Sequence, residues 1–347
     1  MRRCTYRSVL DRARALCGDP LDVDPSTQLA AALQRFIYAR LKRAWEPSGG
    51  WWWPESMRVE ERFYHADYAA GTPYTLGSFV YFPATQRYYQ ALVSTTGNAP
   101  ATLSGTTYVL DTARWIAAQT AYSGADWADA TVYALATIVR NPANGRYYVC
   151  FSAHTSSGTL NTAKFALLTL LPTTISLDQA SQTAIGVVKS ATATDPRLSS
   201  RPVRVDFQLT NDGVQIVGDS LPVSVWLAFQ VRPPVLAGAT WSAATSSYAA
   251  GVTVYYTSTA EEGDFWTVSS ATAAAEDPED TPSKFTRESF PLFLREYCAQ
   301  GACADWLRSQ GQRDAALLED NQAEDLLCRE IRLVANAQNQ GLKWRAA

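Results

Sequence analysis

Few residues in this chain have the types and spacing that chemistry needs. The only histidines are His65 and His154, and the six cysteines (Cys4, Cys17, Cys150, Cys298, Cys303, Cys328) include no C-x-x-C pair. A structural zinc takes four thiolate or imidazole ligands, and a Ser/His/Asp set needs a histidine beside its nucleophile. Neither histidine has such a neighbour in sequence: His65 follows an aromatic strand and His154 lies in a Thr/Ser loop. No G-x-S-x-G, G-x-G-x-x-G, phosphate loop or H-E-x-x-H occurs. "DPLDVDP" brings Asp19, Asp22 and Asp24 together but lacks the glycine and distal glutamate of a calcium loop, so it reads as a turn between helices. "EEGD" (261–264) and "AEDPED" (275–280) read as solvated acidic loops. Paired carboxylates for glycoside hydrolysis meet in space rather than in sequence, and no pair stands out. The expectation is a protein without catalysis, metal or cofactor.

Aromatic residues are abundant instead, with 11 Trp, 17 Tyr and 12 Phe. The stretch "YTLGSFVYFPATQRYYQALVSTTGNAP" (74–100) could be a wall of stacking platforms or the inside of a small β domain. Its pattern recurs. Tyr74, Gly77, Val80 and Tyr88-Tyr89 are matched by Tyr133, Ala136, Val139 and Tyr147-Tyr148, and again by Tyr248, Gly251, Val254 and Phe265-Trp266. Tyr68, Trp127 or Trp241 precedes each copy, and Trp115, Phe165 or Phe285 closes it. Three copies with matching spacing signal a repeated unit, and we place the units at 66–121, 122–171 and 237–287. Units of some fifty residues are near the lower limit for an independent core, so most of these rings must lie inside. Trp266 is the one ring that could offer a flat face to a glycan.

Helical periodicity occupies the two ends. "TYRSVLDRARALC" (5–17) places Val9, Leu10, Ala13 and Leu16 on one face, with Gly18 as the stop. After Ser26 as N-cap, Leu29, Leu33, Phe36, Ile37, Leu41 and Trp45 follow helical spacing. Residues 289–311 and 312–341 read as two helices joined near Gly311, the second with Leu317, Leu318, Leu326, Leu327, Ile331 and Val334 on one side. Between the ends, 201–234 reads as three strands with "NDG" as a hairpin turn. The predicted fold class is therefore α+β: a helical core with a small antiparallel β-sheet, made from 1–65, 172–236 and 288–347, plus three inserted small all-β modules.

The chain has 347 residues, 47% of them hydrophobic and 18% charged, and a net charge of −3. That composition describes a folded protein, and the charge gives no reason to expect a nucleic-acid partner. "MRRCTYRSVLDRARAL" has no apolar signal-peptide core, and no run approaches a membrane span. Free thiols in a reducing compartment and synthesis in the cytoplasm are expected, with the protein remaining there or in a particle assembled there.

Two resemblances can be named. The repeat W/Y…Y-x-x-G-x-x-V…Y-Y-x-A…G-N-x-P…W resembles the small chitin-binding carbohydrate-binding modules. In that family adjacent tryptophans after the Y-x-A strand form the sugar-stacking face; here those positions read "QALVSTTGN", "VCFSAHTSSG" and "TVSSATAA", without the platform. With the repeats set aside, "SVLDRARALCG", "LQRFIYARLKRAWE", "WPE", 195–234 and 290–327 occur in an order that resembles the head-to-tail connector (adaptor) proteins of tailed bacteriophages. That resemblance implies a structural virion protein of the neck: a homo-oligomeric ring of twelve copies between the portal protein and a tail or nozzle protein. Genomic DNA would pass through without sequence recognition, no membrane would be involved, and the β modules would decorate the outside. It implies portal docking by the C-terminal tail (336–347) through Leu342, Lys343, Trp344 and Arg345. It also makes Trp51, Trp52 and Trp53 of "WWWPE" a subunit interface, with Trp53 turned toward the first helices. The alternative is a carbohydrate-binding virion protein that attaches to host glycans.

Overall fold

The computed structural model describes residues 3–19, 27–45, 53–178, 182–218, 221–245, 247–257 and 263–343. It divides into two units, Met1–Met57 with Gln230–Ala347, and Arg58–Phe229.

In the first unit, α1 (Tyr6–Leu16) begins where Thr5 accepts a hydrogen bond from the Ser8 amide at 3.2 Å and Ser8 Oγ donates to the Thr5 carbonyl at 2.9 Å. It buries Tyr6, Val9, Leu10 and Ala13, and it stops where Gly18 adopts φ +74°. The second helix, α2 (Thr27–Trp45), buries Leu29, Leu33, Ile37, Leu41 and Trp45 at four-residue steps. Burial of each such aliphatic side chain contributes about 1.5–3 kcal/mol. Helix α3 (Arg295–Ser309) is buried without a break from Tyr297 to Ala304, and α4 (Arg313–Lys343) turns Ala316, Ala323 and Leu327 inward. These four helices close one core with Trp53, Leu236, Phe265 and Phe290. Arg3–Cys4 pairs with Phe290–Pro291, tying the start of the unit to the segment just before α3. A four-stranded sheet runs Ala239–Thr240, Thr253–Tyr256, Asp264–Val268, Phe285–Glu288, its first pair parallel and the others antiparallel.

The described residues of the second unit form sheets of two to four strands. Phe79–Phe82, Arg87–Ala91 and Trp115–Ala117 form one, and a hairpin of Ala101–Ser104 with Thr107–Leu110 stands beside it in sequence. Ala125–Asp126, Ile138–Arg140, Tyr147–Cys150 and Phe165–Leu167 form the next, with Val132–Tyr133 paired to His154–Thr155. The segment 201–234 does not stay in one sheet. Asp206–Thr210 and Gly213–Val217 pair with each other and with Thr174–Ile175, whereas Ser224–Val231 lies between Ile185–Thr192 and Met57–Phe63. Gly213 carries the hairpin turn at φ +140°, where an added Cβ would collide with the Ile175 carbonyl.

The expectation of a helical core with one small antiparallel sheet and three inserted modules is overturned. Among the described residues, strands account for 31% and the four α-helices for 25%, and the strands are spread over many small sheets. The expected core segments 1–65, 172–236 and 288–347 are split between the two units. The error has a physical source: strands of two to four residues carry too little alternation to be read, and partners such as Met57–Phe63 and Ser224–Val231 are far apart in sequence.

Candidate functional site

The three segments with matching aromatic spacing share one local architecture. Tyr74, Tyr133 and Tyr248 each clamp the loop before them: the hydroxyl accepts from the amide of Ala69, Ala128 or Ser242 at 2.7, 2.8 and 2.9 Å and donates to the carbonyl of the same residue. Gly77, Ala136 and Gly251 sit at φ +86°, +63° and +86°, each with its amide on the carbonyl of the second strand (Ala91, Cys150, Val268) at 2.7–2.8 Å. Val80, Val139 and Val254 are buried and lie opposite Tyr89, Tyr148 and Trp266 in register. Trp115, Phe165 and Phe285 close the cores. The tyrosine-rich stretch is thus chiefly an interior. Tyr81, Tyr88 and Tyr89 are buried, and Tyr88 donates to the Val223 carbonyl at 2.6 Å while accepting from the Tyr64 amide at 3.1 Å.

Modules one and two also share a seam. Gln90, 0% exposed, donates to the Leu167 carbonyl at 3.1 Å and accepts from the Thr169 amide at 3.2 Å, so both ends of its buried amide are satisfied. Leu92, Ile116, Tyr122, Val149, Ala166 and Leu168 form an apolar cluster around the same seam.

Module one alone carries the hairpin Ala101–Leu110, and the hairpin supplies Tyr108, the one exposed aromatic ring among the described residues, at 45%. Tyr108 meets Phe82 edge-on at 6.2 Å. A groove of about 290 Å³ runs between Tyr108 and Leu110 on the hairpin and Thr85, Arg87 and Tyr89 on the sheet. Arg87 also lines a second cavity of about 490 Å³, walled by Tyr64, Tyr88, Gln119, Leu171 and Pro222.

The predicted site residues are scattered. Trp53 is only 1% exposed, and its indole N–H donates to the Ala44 carbonyl at 2.7 Å while its ring meets Phe293 at 4.7 Å. It belongs to its own chain's core, so the interface expected of it has no exposed surface there; Trp51 and Trp52 lie outside the described residues. Leu342 and Lys343 fall in the last turn of α4, and Trp344 and Arg345 lie outside the described residues. Trp266 is half-buried in the third module, and the Arg287 guanidinium lies over its ring at 5.8 Å, covering one face.

Candidate nucleophiles and acids have structural employment. Cys150 is buried with His154 Nδ1 3.8 Å from its Sγ, and burial pushes its thiol pKa up, against the opposing pull of the Ser152 backbone and Lys164. His154 Nδ1 is 2.9 Å from the Ser152 carbonyl, and Lys164 donates to Ser152 Oγ at 3.0 Å. His65 stacks on Phe79 at 5.2 Å, and burial lowers its pKa more than its bond to the Pro172 backbone raises it. Asp264, expected in a solvated loop, is 2% exposed: it accepts from the Tyr6 amide at the start of α1 and from Arg287 at 2.7 Å. Asp19 accepts from Arg14 at 2.7 Å, and Asp22 and Asp24 lie outside the described residues. Among the described residues there is no group of three or more metal-ligating side chains and no helix long and apolar enough to cross a membrane.

Sequence reasoning missed the most heavily charged site. Arg40 of α2, buried, holds Asp305 of α3 through two hydrogen bonds of 2.7 and 2.8 Å and Asp320 of α4 at 2.8 Å, with Glu324 at 3.5 Å. Arg308 bridges the same two aspartates at 2.8 and 2.9 Å. One guanidinium thus ties three helices. No local signal marks it, because each charge looks like an ordinary solvated residue of an amphipathic helix.

No protein-family model matches the chain, and no curated protein matches it in sequence.

Proposed function

We propose that this chain is a structural virion protein, a head-to-tail adaptor that assembles as a ring between a phage portal and the tail. The observation that carries the proposal is the joining of the chain's two ends. Helices α1 and α2 share one core with 290–331, fastened by Arg40. In this role the C-terminal tail, with Leu342, Lys343, Trp344 and Arg345, docks on the portal, DNA passes without sequence recognition, and the aromatic modules face outward.

The test is a mass measurement on purified protein mixed with the portal protein of the phage that encodes it. A complex containing many copies of this chain per portal ring is expected. Failure to associate across salt and pH would overturn the proposal.

A further inference from the structure

The groove beneath the 101–110 hairpin has features that core packing does not require. The hairpin is an addition, since the second and third modules connect the equivalent strands (Tyr147–Cys150 to Phe165–Leu167, and Asp264–Val268 to Phe285–Glu288) without a paired hairpin. It holds the Tyr108 ring at the surface, braced edge-on against Phe82 at 6.2 Å. Across the groove the hydroxyls of Thr85 and Tyr89 are 3.0 Å apart, a donor–acceptor pair on a fixed floor. Arg87 is exposed and, among the described residues, makes no ion pair or side-chain hydrogen bond. The residue before it, Gln86, is held at φ +51°, a left-handed conformation that non-glycine residues adopt at a cost. Arg87 and Ala117 border both the 290 Å³ groove and the 490 Å³ cavity, so the two concavities meet at the unpaired cation.

We infer that this groove is a binding site for an acidic oligosaccharide, a sugar chain bearing carboxylates. The aromatic face of Tyr108 suits the C–H face of a pyranose ring, the hydroxyl pair of Thr85 and Tyr89 suits sugar hydroxyls, and the Arg87 fork suits a carboxylate on the next residue. The two concavities, of about 290 and 490 Å³, have room for a ligand that runs from one to the other past Arg87. One cation on a chain of net charge −3 is too little to hold a polyphosphate, which argues against nucleic acid. The site is made of module-one residues and does not include Trp266, the residue that the sequence offered for a glycan contact. It does not depend on the adaptor role, because every element of it lies within one chain.

The experiment is calorimetric titration of the full-length protein alone, without portal. The probes are a galacturonic acid tetrasaccharide, sialyllactose, a neutral chito-oligosaccharide and a glutamate-rich peptide. At least one acidic saccharide is expected to bind, and the neutral one at least tenfold more weakly. Arg87→Gln should weaken the acidic saccharide roughly tenfold or more, the scale of one charge-assisted hydrogen-bonded pair. Tyr108→Ala should weaken both saccharide classes, and Trp266→Ala neither. Both Arg87 and Tyr108 are exposed, so the variants should melt with the parent. Silence from both acidic saccharides, equal binding of the neutral saccharide, an undiminished Arg87→Gln variant, or tighter binding of the glutamate peptide would each overturn the inference.

Discussion

Gly301 of α3 stands against the side chain of Arg40 of α2: a Cβ added at Gly301 would lie 2.9 Å from Arg40 Cδ and 3.0 Å from its Nε. The guanidinium beyond is fixed by two bonds to Asp305, so the side chain cannot retreat. Alanine in a helix interior gains about 1 kcal/mol over glycine, and overpacking costs about 1–3. Gly301→Ala should therefore lower stability by about 1 kcal/mol in urea denaturation, and a gain would show that Arg40 is free to move.

Arg40→Met should cost more. It leaves Asp305 and Asp320 with Arg308 as their remaining cation and Glu324 with Arg43. Removing one partner of a buried ion cluster costs about 3–5 kcal/mol; with Arg308 retained, a loss near the lower end, about 3, is expected. A chemical denaturation curve with unchanged slope and a lowered midpoint is the readout.

Acid should act on the same cluster. Burial pushes the Asp320 carboxyl up, but hydrogen bonds and charge from Arg40 and Arg308 together hold it below its ordinary 3.8. A depressed carboxylate gives stability that is complete above that value and disappears as pH falls through the folded pKa. Asp320→Asn should be destabilising at pH 7 and should flatten the acid limb of a stability–pH curve below about pH 4.

His65 acts in another window. Its burial lowers the pKa from 6.5, against a smaller rise from the Pro172 backbone. The unfolded chain then binds the proton more readily, so stability is complete above pH 6.5 and falls as pH drops below it. His65→Phe, which keeps an aromatic ring against Phe79, should remove that slope below about pH 6.5. An unchanged slope in melts taken from pH 6.5 downward would refute the assignment.

The repeat makes its own test. Ala136 holds φ +63° where the other copies have Gly77 and Gly251, and an alanine in the left-handed region costs about 1–2 kcal/mol. Less the extra entropy of glycine, Ala136→Gly should stabilise by about 0.5–1 kcal/mol. Gly77 has open space around its Cβ position, so Gly77→Ala should lose about 1 kcal/mol from backbone strain alone.

The repeat and the helices were legible because they depend on apolar spacing, except that Leu317 and Leu318, read as part of the inward side of α4, are exposed while Ala316 and Ala323 are buried. The Tyr74, Gly77 and Val80 pattern marks a turn and a core position, and the Leu33, Ile37 and Leu41 steps mark a helix face. The charged interior was not legible. Arg40, Arg62, Gln90 and Asp264 are polar residues whose burial depends on partners up to 265 positions away, and nothing beside them in sequence tells them from surface residues. The sheet partners of 201–234 were missed for the same reason, since pairing is a long-range property. The Arg87–Tyr108 groove was hidden too: tyrosine-rich spacing locates the module core, and an added hairpin shows only as a longer link between strands.

The union of distant helices in one core has a consequence for how the chain is made. The α1–α2 pair leaves the ribosome some 250 residues ahead of α3, which at about 5–20 residues per second is a wait of roughly 10–50 seconds. During that interval the leucine-lined side of α2 has no lasting cover, whereas the residues of the second unit are all synthesised before α3 and need not wait for it. Nascent chains should therefore draw chaperones through their earliest helix, and release them once the last two helices arrive.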